Sequence, residues 1–195
     1  ECRLVRTVAE ARRAKQDGQR ALFLSIENAY SLGVDPVSVS EYHARGVRML
    51  GLTHMLNNDL ADASTDPRGP EWGGLSGLGR EIVAECNRLG IVLDASHASD
   101  ETLRQLLSLS RTPVILSHSD CRAHCDHPRN VNDGLLRDLA AQGGVIQINA
   151  LPISLVEAPG NQRTAAIAEL LMRFASEVLT PEVTAAADEA YLTVG

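Results

Sequence analysis

Ionisable side chains end four successive apolar segments of this sequence. The residues are Glu27, His54, His97 and His118. Neutral imidazoles and a carboxylate together form a ligand set for Zn²⁺ or another borderline divalent ion. An ion of this kind lowers the pKa of bound water towards neutrality and makes hydroxide available. The residue types therefore predict metal-assisted hydrolysis, provided that the fold brings these side chains together.

Apolar segments alternate with helical patterns along most of the chain. Short apolar runs predict strands at 21–27, 47–54, 91–97, 113–118 and 145–149. Helices are predicted at 4–16, 35–46, 76–90, from 99 onward and at 132–143. From residue 164 the sequence has an Ala- and Leu-rich helical pattern, with a break at Thr180-Pro181. Side chains that cap helix N-termini, or glycines that end helices, mark most of these boundaries. The long polar stretch after His54 predicts a loop that is either functional or disordered.

This alternation predicts an α/β fold with parallel strands joined by right-handed crossovers. An open doubly wound sheet and a (β/α) barrel both fit the pattern. No Gly-x-Gly-x-x-Gly or phosphate-binding loop follows a strand, which disfavours the nucleotide-binding open sheet. In a parallel fold the four ionisable residues emerge on one face, at the carboxyl ends of the strands. The convergence of four such residues indicates a site, because a single His at a strand end is more often structural.

The composition excludes several classes of protein. The 195 residues carry a net charge of −7, and only 3% of them are aromatic. Nucleic-acid binding usually needs a cationic surface and stacking aromatic rings, so no nucleic-acid partner is predicted. No apolar run approaches the roughly 20 residues that span a bilayer, so no membrane span is predicted. The length fits one domain over 1–195, and the four cysteines leave the localisation open.

A second metal-binding pattern lies between residues 118 and 127. His118, Cys121, His124, Cys125 and His127 are dense enough to suggest a structural zinc site. The paired Cys-x-x-Cys arrangement of such sites is absent, however, and His118 already ends a predicted strand. We therefore expect a loop with thiols and solvated imidazoles, in which neither cysteine binds the hydrolytic metal.

Several short motifs resemble the membrane (renal) dipeptidase family of zinc peptidases. They occur in the order of the family pattern between residues 21 and 149, with plausible spacing. Together they are specific for this family. The motifs are SIEN at 25–28, GVRMLGLTH at 46–54 with Asn57-Asn58, GREIV at 79–83, NRLG at 87–90, DASH at 94–97, SHS at 117–119 and PRNV at 128–131. The resemblance implies a (β/α)8 TIM-like barrel and a homodimer.

The resemblance also implies roles for five residues. Glu27 corresponds to the carboxylate that bridges two zinc ions, and His97 and His118 correspond to the imidazole ligands of one of them. His54 corresponds to the catalytic histidine that contacts the scissile carbonyl and stabilises the oxyanion. Arg129 corresponds to the arginine that grips the terminal carboxylate of the dipeptide, a task suited to its planar fork of donors. The implied reaction is hydrolysis of a dipeptide by a metal-bound hydroxide.

Two features of the family pattern are missing from this sequence. The family carries a His-x-Asp pair on its first strand, which completes the second zinc site, and no such pair precedes Glu27. The family also carries an Asp on a late strand, as a metal ligand and proton shuttle, and nothing after Asn149 matches it. We therefore expect an incomplete barrel with about five βα units. We also expect residues 1–195 alone to hydrolyse dipeptides poorly.

The sequence leaves two other functions open. A non-catalytic or truncated relative would keep the barrel face as a binding or scaffold surface. A metal-dependent amidohydrolase would act on another small amide or lactone. Arg129 distinguishes the dipeptidase from the amidohydrolase, since it would recognise a free carboxylate on the substrate.

Overall fold

The computed structural model describes residues 1–33 and 35–155, which form strands and helices in alternation. In chain order the strands are β1 (Cys2–Leu4), β2 (Arg20–Leu22), β3 (Leu24–Ile26), β4 (Val47–Gly51), β5 (Val92–Asp94), β6 (Ile115–Ser119) and β7 (Val145–Ile148). The helices are α1 (Val8–Gln16), α2 (Val37–Arg45), α3 (Gly77–Leu89), α4 (Asp100–Leu109), α5 (Asp133–Ala141) and the short α6 (Pro152–Leu155), with a 3₁₀ turn at Ala29–Leu32. The helical pattern predicted after residue 164 lies outside the described residues.

The main sheet has five parallel strands in the order β3-β4-β5-β6-β7. Consecutive strands are neighbours throughout, without the reversal of order that defines a doubly wound sheet. A separate two-stranded parallel sheet joins β1 and β2. The sequential order is that of a (β/α) barrel, so the described residues form part of a TIM-like barrel, as predicted.

The hydrophobic core lies between the main sheet and helices α2 to α5. Leu50, Leu93 and Leu116 on the three central strands are buried, and they join one cluster with apolar residues of the helices. Their strand neighbours Met49 and Ile115 are only half-buried. Since successive side chains of a strand point to opposite faces, the sheet has one face covered by helices and one that is more open.

Helix starts follow the predicted caps. Ser76 Oγ accepts a hydrogen bond from Gly79 N at 3.0 Å, Ser99 Oγ accepts one from Thr102 N at 3.1 Å, and Asn132 Oδ1 accepts one from Leu135 N at 3.0 Å. Each bond satisfies a backbone N–H that the first turn leaves without a partner. The sequence therefore located the helices that connect the barrel strands.

Several predicted boundaries were wrong. Helix α1 begins at Val8 rather than at Leu4, because Thr7 and Glu10 form a reciprocal capping box. The run 21–27 divides into β2 and β3, which pair in different sheets. Strands β4 and β5 end three residues before His54 and His97, so these histidines lie in turns after their strands.

The long loop between β4 and α3 is ordered by buried polar side chains. Asp62 is almost fully buried, and its carboxylate accepts hydrogen bonds from the backbone N–H groups of Glu71, Trp72 and Gly74 at 2.7–3.0 Å. The Asp62 carbonyl in turn accepts a bond from the Ser99 backbone N–H at 3.0 Å. Burying a carboxylate is favourable only with such partners, so Asp62 fixes the loop against the start of α4.

Two glycines of α3 provide a matched test of how this loop packs. A Cβ added at Gly79 would lie 2.0 Å from the Leu60 carbonyl oxygen, whereas a Cβ at Gly77 would meet nothing within 4 Å. We expect Gly79→Ala to lower the free energy of unfolding by about 1–3 kcal/mol or more through overpacking. Gly77→Ala should cause no loss and a gain of up to about 1 kcal/mol, from helix propensity. Urea unfolding measures both, and equal effects would contradict the packing described.

Candidate metal centre

Three side chains converge at the carboxyl ends of the barrel strands. Glu27 Oε1 lies 3.1 Å from His97 Nε2 and 3.0 Å from His118 Nε2. The two imidazole Nε2 atoms lie 3.0 Å from each other. Among the described residues, these three form the only group of His, Cys, Asp or Glu donors that could hold a metal ion. The structure thus brings together Glu27, His97 and His118, which the sequence places at the ends of predicted strands.

The donor triangle fits a borderline divalent ion. In a tetrahedral zinc site with bonds of 2.0–2.1 Å, the donor atoms lie about 3.3 Å apart. The observed separations of 3.0–3.1 Å are close to that spacing. Two imidazoles and one carboxylate leave a fourth position open for water or substrate, which is the pattern of catalytic rather than structural zinc sites.

Different elements position the three donors. Glu27 directly follows β3, and His118 lies within β6. His97 sits in the turn after β5 with a left-handed backbone (φ 71°), which is unusual for a residue other than glycine. The Ser64 backbone N–H donates to the His97 carbonyl at 2.8 Å, so the long loop after β4 helps to hold this turn. The strained backbone points the His97 imidazole at the other two donors.

Burial keeps the His97 imidazole neutral. Its side chain is 8% exposed, against 33% for His118 and 52% for Glu27. Desolvation, with a smaller effect from the nearby Arg129 cation, lowers the pKa of His97 to about 2. An imidazole binds a metal through a neutral nitrogen, so His97 is in its ligating form at physiological pH. Glu27 forms the open side of the group.

The other two predicted residues lie beside this group. The His54 ring packs on the His97 ring, with centroids 4.2 Å apart. Arg129 Nη2 donates to the His118 carbonyl at 3.1 Å. The structure therefore brings all five predicted residues into one region of the barrel face.

Within residues 1–33 and 35–155, the Arg129 guanidinium makes one hydrogen bond, to the His118 carbonyl. The residue is only partly exposed, and no carboxylate in the described part of the chain lies within ion-pair distance of its guanidinium. Burial lowers the pKa of Arg129, while the negative charges of Glu27, Asp94 and Asp120 act in the opposite direction. A guanidinium has five N–H donors, so those not used on His118 can receive an anion.

A buried network behind His118 was not assigned by the sequence. Ser117 Oγ lies 2.8 Å from His118 Nδ1, and the same hydroxyl makes a short hydrogen bond to Asp94 Oδ2. Asp94 Oδ1 accepts from the backbone N–H groups of Ser96 at 2.9 Å and Ser117 at 3.1 Å. The sequence places Asp94 in the DASH motif and assigns it no role. A Ser directly before a strand-end His was the available signal, but the pairing depends on β5 and β6 being neighbours.

The Cys- and His-containing loop after β6 is held by other contacts. Arg122 forms a two-pronged ion pair with Asp100, with both distances 2.8 Å. The buried Asn130 amide donates to the carbonyls of Cys125 and Ser154 at 2.9 and 2.7 Å. Neither Cys121 nor Cys125 belongs to the donor group of Glu27.

Comparison with known proteins identifies the family. The model of the membrane dipeptidase family, peptidase family M19, matches residues 1–179. The chain belongs to the membrane dipeptidase family. Dipeptidase aclJ of Aspergillus oryzae is 41% identical to it over 135 residues, which is 69% of this chain and 32% of that protein. Human Dipeptidase 3 is 37% identical over 131 residues, or 66% and 27%. The chain thus spans about a third of the length of the curated dipeptidases that it matches.

Solved structures of dipeptidases share the fold. The probable dipeptidase PvdM from Pseudomonas aeruginosa matches all of this chain and 54% of its own, with 30% identity and a TM-score of 0.81. A metallo peptidase from Rhodobacter sphaeroides, liganded with a phosphinate mimic of the dipeptide L-Ala-D-Ala, matches 75% of this chain and 43% of its own. It shows 30% identity and a TM-score of 0.69. None of the helices in the described part of this dipeptidase-family chain has the length and apolar character needed to cross a membrane.

Proposed function

We propose that the protein is a zinc-dependent dipeptidase whose metal is held by Glu27, His97 and His118. The observation that carries the proposal is the donor triangle, with separations of 3.0–3.1 Å, beside His54 and Arg129. Membership of a dipeptidase family supports the reaction class. The related Rhodobacter protein, solved with a mimic of a dipeptide, supports the substrate class.

The Glu27 carboxylate is proposed to bind two metal ions. Its Oε1 atom lies 3.1 and 3.0 Å from the two imidazole Nε2 atoms, and its side chain is half-exposed, so the same carboxylate would also be able to help hold a second ion. The remaining ligands of a second ion are not among the groups that the described residues bring together. When bound, zinc supplies Lewis-acid chemistry: it polarises a carbonyl and lowers the pKa of water.

His54 and Arg129 are proposed to bind and orient the dipeptide. Arg129 offers planar paired donors to the terminal carboxylate, and this anion would offset the cost of holding a cation in a partly buried position. His54 packs against His97 and is proposed to donate a hydrogen bond to the scissile carbonyl. Such a donor stabilises the negative charge that develops on the carbonyl oxygen in the transition state.

Metal removal tests the reaction class. After chelation and removal of the chelator, dipeptide hydrolysis by the whole protein should fall to background, and added zinc should restore it. The assay follows release of free amino acid, with metal content checked by atomic absorption. Magnesium is the control, since it prefers oxygen ligands and should not restore activity. Undiminished hydrolysis by protein shown to be metal-free would contradict the proposed function.

A further inference from the structure

We propose that Asp94 and Ser117 form a hydrogen-bond relay that sets the tautomer of His118 and thereby its ability to bind zinc through Nε2. The inference rests on the metal site proposed above and assigns positioning roles to two residues outside it. The relay runs from the Asp94 carboxylate through the Ser117 hydroxyl to His118 Nδ1. Asp94 is buried, and Ser117 is partly buried, so solvent does not replace these contacts freely.

The direction of the relay follows from the donors available. Asp94 Oδ1 accepts two backbone N–H groups, and Oδ2 accepts the hydroxyl proton of Ser117. A serine hydroxyl has only one proton to donate. Ser117 Oγ must therefore act as an acceptor towards His118, so that Nδ1 carries the imidazole proton and Nε2 keeps its lone pair. Nε2 is the atom that faces Glu27 and His97.

Backbone contacts hold the relay in register across two strands. The His118 backbone N–H donates to Ser96 Oγ at 3.0 Å, and Ser96 Oγ lies 3.4 Å from Ser117 Oγ. The segment 94–96 at the end of β5 is thus hydrogen-bonded to residues 117 and 118 of β6. Hydrogen-bond partners of this kind orient metal-binding imidazoles, and their loss typically costs 10–100-fold in metal affinity.

Asp94→Asn tests the direction of the relay. The amide oxygen would still accept the backbone N–H groups, but the amide nitrogen would donate to Ser117 Oγ. The Ser117 hydroxyl would then donate to His118 Nδ1 and place the imidazole proton on Nε2, where it blocks the metal. We expect about 100-fold weaker zinc binding for Asp94→Asn and about 10-fold weaker binding for Ser117→Ala.

The double variant separates this relay from a purely structural role. Adding Ser117→Ala to Asp94→Asn removes the hydroxyl that forces the wrong tautomer, so zinc affinity should rise about 10-fold relative to Asp94→Asn alone. Two structural defects would instead combine to give weaker binding. A double variant that binds zinc no more tightly than Asp94→Asn overturns the relay.

Zinc dissociation constants are measured by competition with a chromophoric chelator on the purified protein, and circular dichroism of the metal-free form confirms folding. Ser119→Ala is the matched control, because Ser119 is buried on the same strand and its hydroxyl has no partner among the described residues. The zinc affinity of the Ser119→Ala protein should equal that of the wild type. If the Asp94→Asn protein does not fold, the zinc affinity of Ser117→Ala alone tests the relay. Wild-type zinc affinity in the Ser117→Ala protein overturns the relay. Failure of the wild type to bind zinc overturns the metal site itself, and the relay with it.

Discussion

Replacing His118 with alanine is expected to weaken zinc binding by more than about 100-fold, since removing even a hydrogen-bond partner of a ligand costs up to about that much. The His118 Nε2 atom is one of only three donors in the described site. Dipeptide hydrolysis should fall in parallel at zinc concentrations that saturate the wild type. Competition with a chelator gives the affinity, and an amino-acid release assay gives the activity.

His124→Ala is the control for this experiment. His124 lies in the loop after β6, is exposed, and does not belong to the donor group. Its replacement should leave zinc affinity unchanged, which shows that a lost histidine near β6 is not harmful in itself. The same zinc affinity in the His118→Ala and His124→Ala proteins would remove His118 from the metal site.

Arg129→Ala should selectively impair substrates with a free terminal carboxylate. Truncating one partner of a buried, hydrogen-bonded charge pair costs about 2–5 kcal/mol, which corresponds to roughly 30- to 4,000-fold in kcat/KM. The C-terminal amide of the same dipeptide lacks that charge, so its kcat/KM should change far less. Steady-state kinetics on both substrates gives the two ratios.

The amide also controls for damage to the site, because Arg129 contacts the His118 carbonyl. Loss of that contact would slow both substrates equally, whereas loss of carboxylate recognition affects only the free dipeptide. Arg129→Lys keeps the charge but not the paired donors, so an intermediate loss is expected. Equal losses on the acid and the amide would show that Arg129 acts through its contact with the His118 carbonyl and does not recognise the carboxylate of the substrate.

Local signals located the helices of this fold better than the ends of its strands. Caps such as Ser99 act within one turn, so the sequence itself contains the interaction that starts the helix. The division of 21–27 into two strands depends instead on pairing with Cys2–Leu4 and with Val47–Gly51, which are distant in sequence. No periodicity within seven residues reports which partner each half will find.

The convergence of the proposed metal ligands could be predicted, but their supporting network could not. Strand ends in a parallel sheet share one face, so the positions of Glu27 and His118 followed from the topology. Asp94 is 23 residues from Ser117, and only the adjacency of β5 and β6 brings them together. Asp62 likewise has the sequence appearance of a solvated loop residue, although it is buried under three backbone N–H donors.

Anomalous X-ray scattering at the zinc edge, from crystals of the zinc-loaded protein, tests the metal site most directly. We expect a zinc peak within about 2.0–2.2 Å of donor atoms of Glu27, His97 and His118. We also expect that neither Cys121 nor Cys125 binds that ion. A zinc ion held by both cysteine thiolates, with no peak at the Glu27 group, would contradict the proposed metal site.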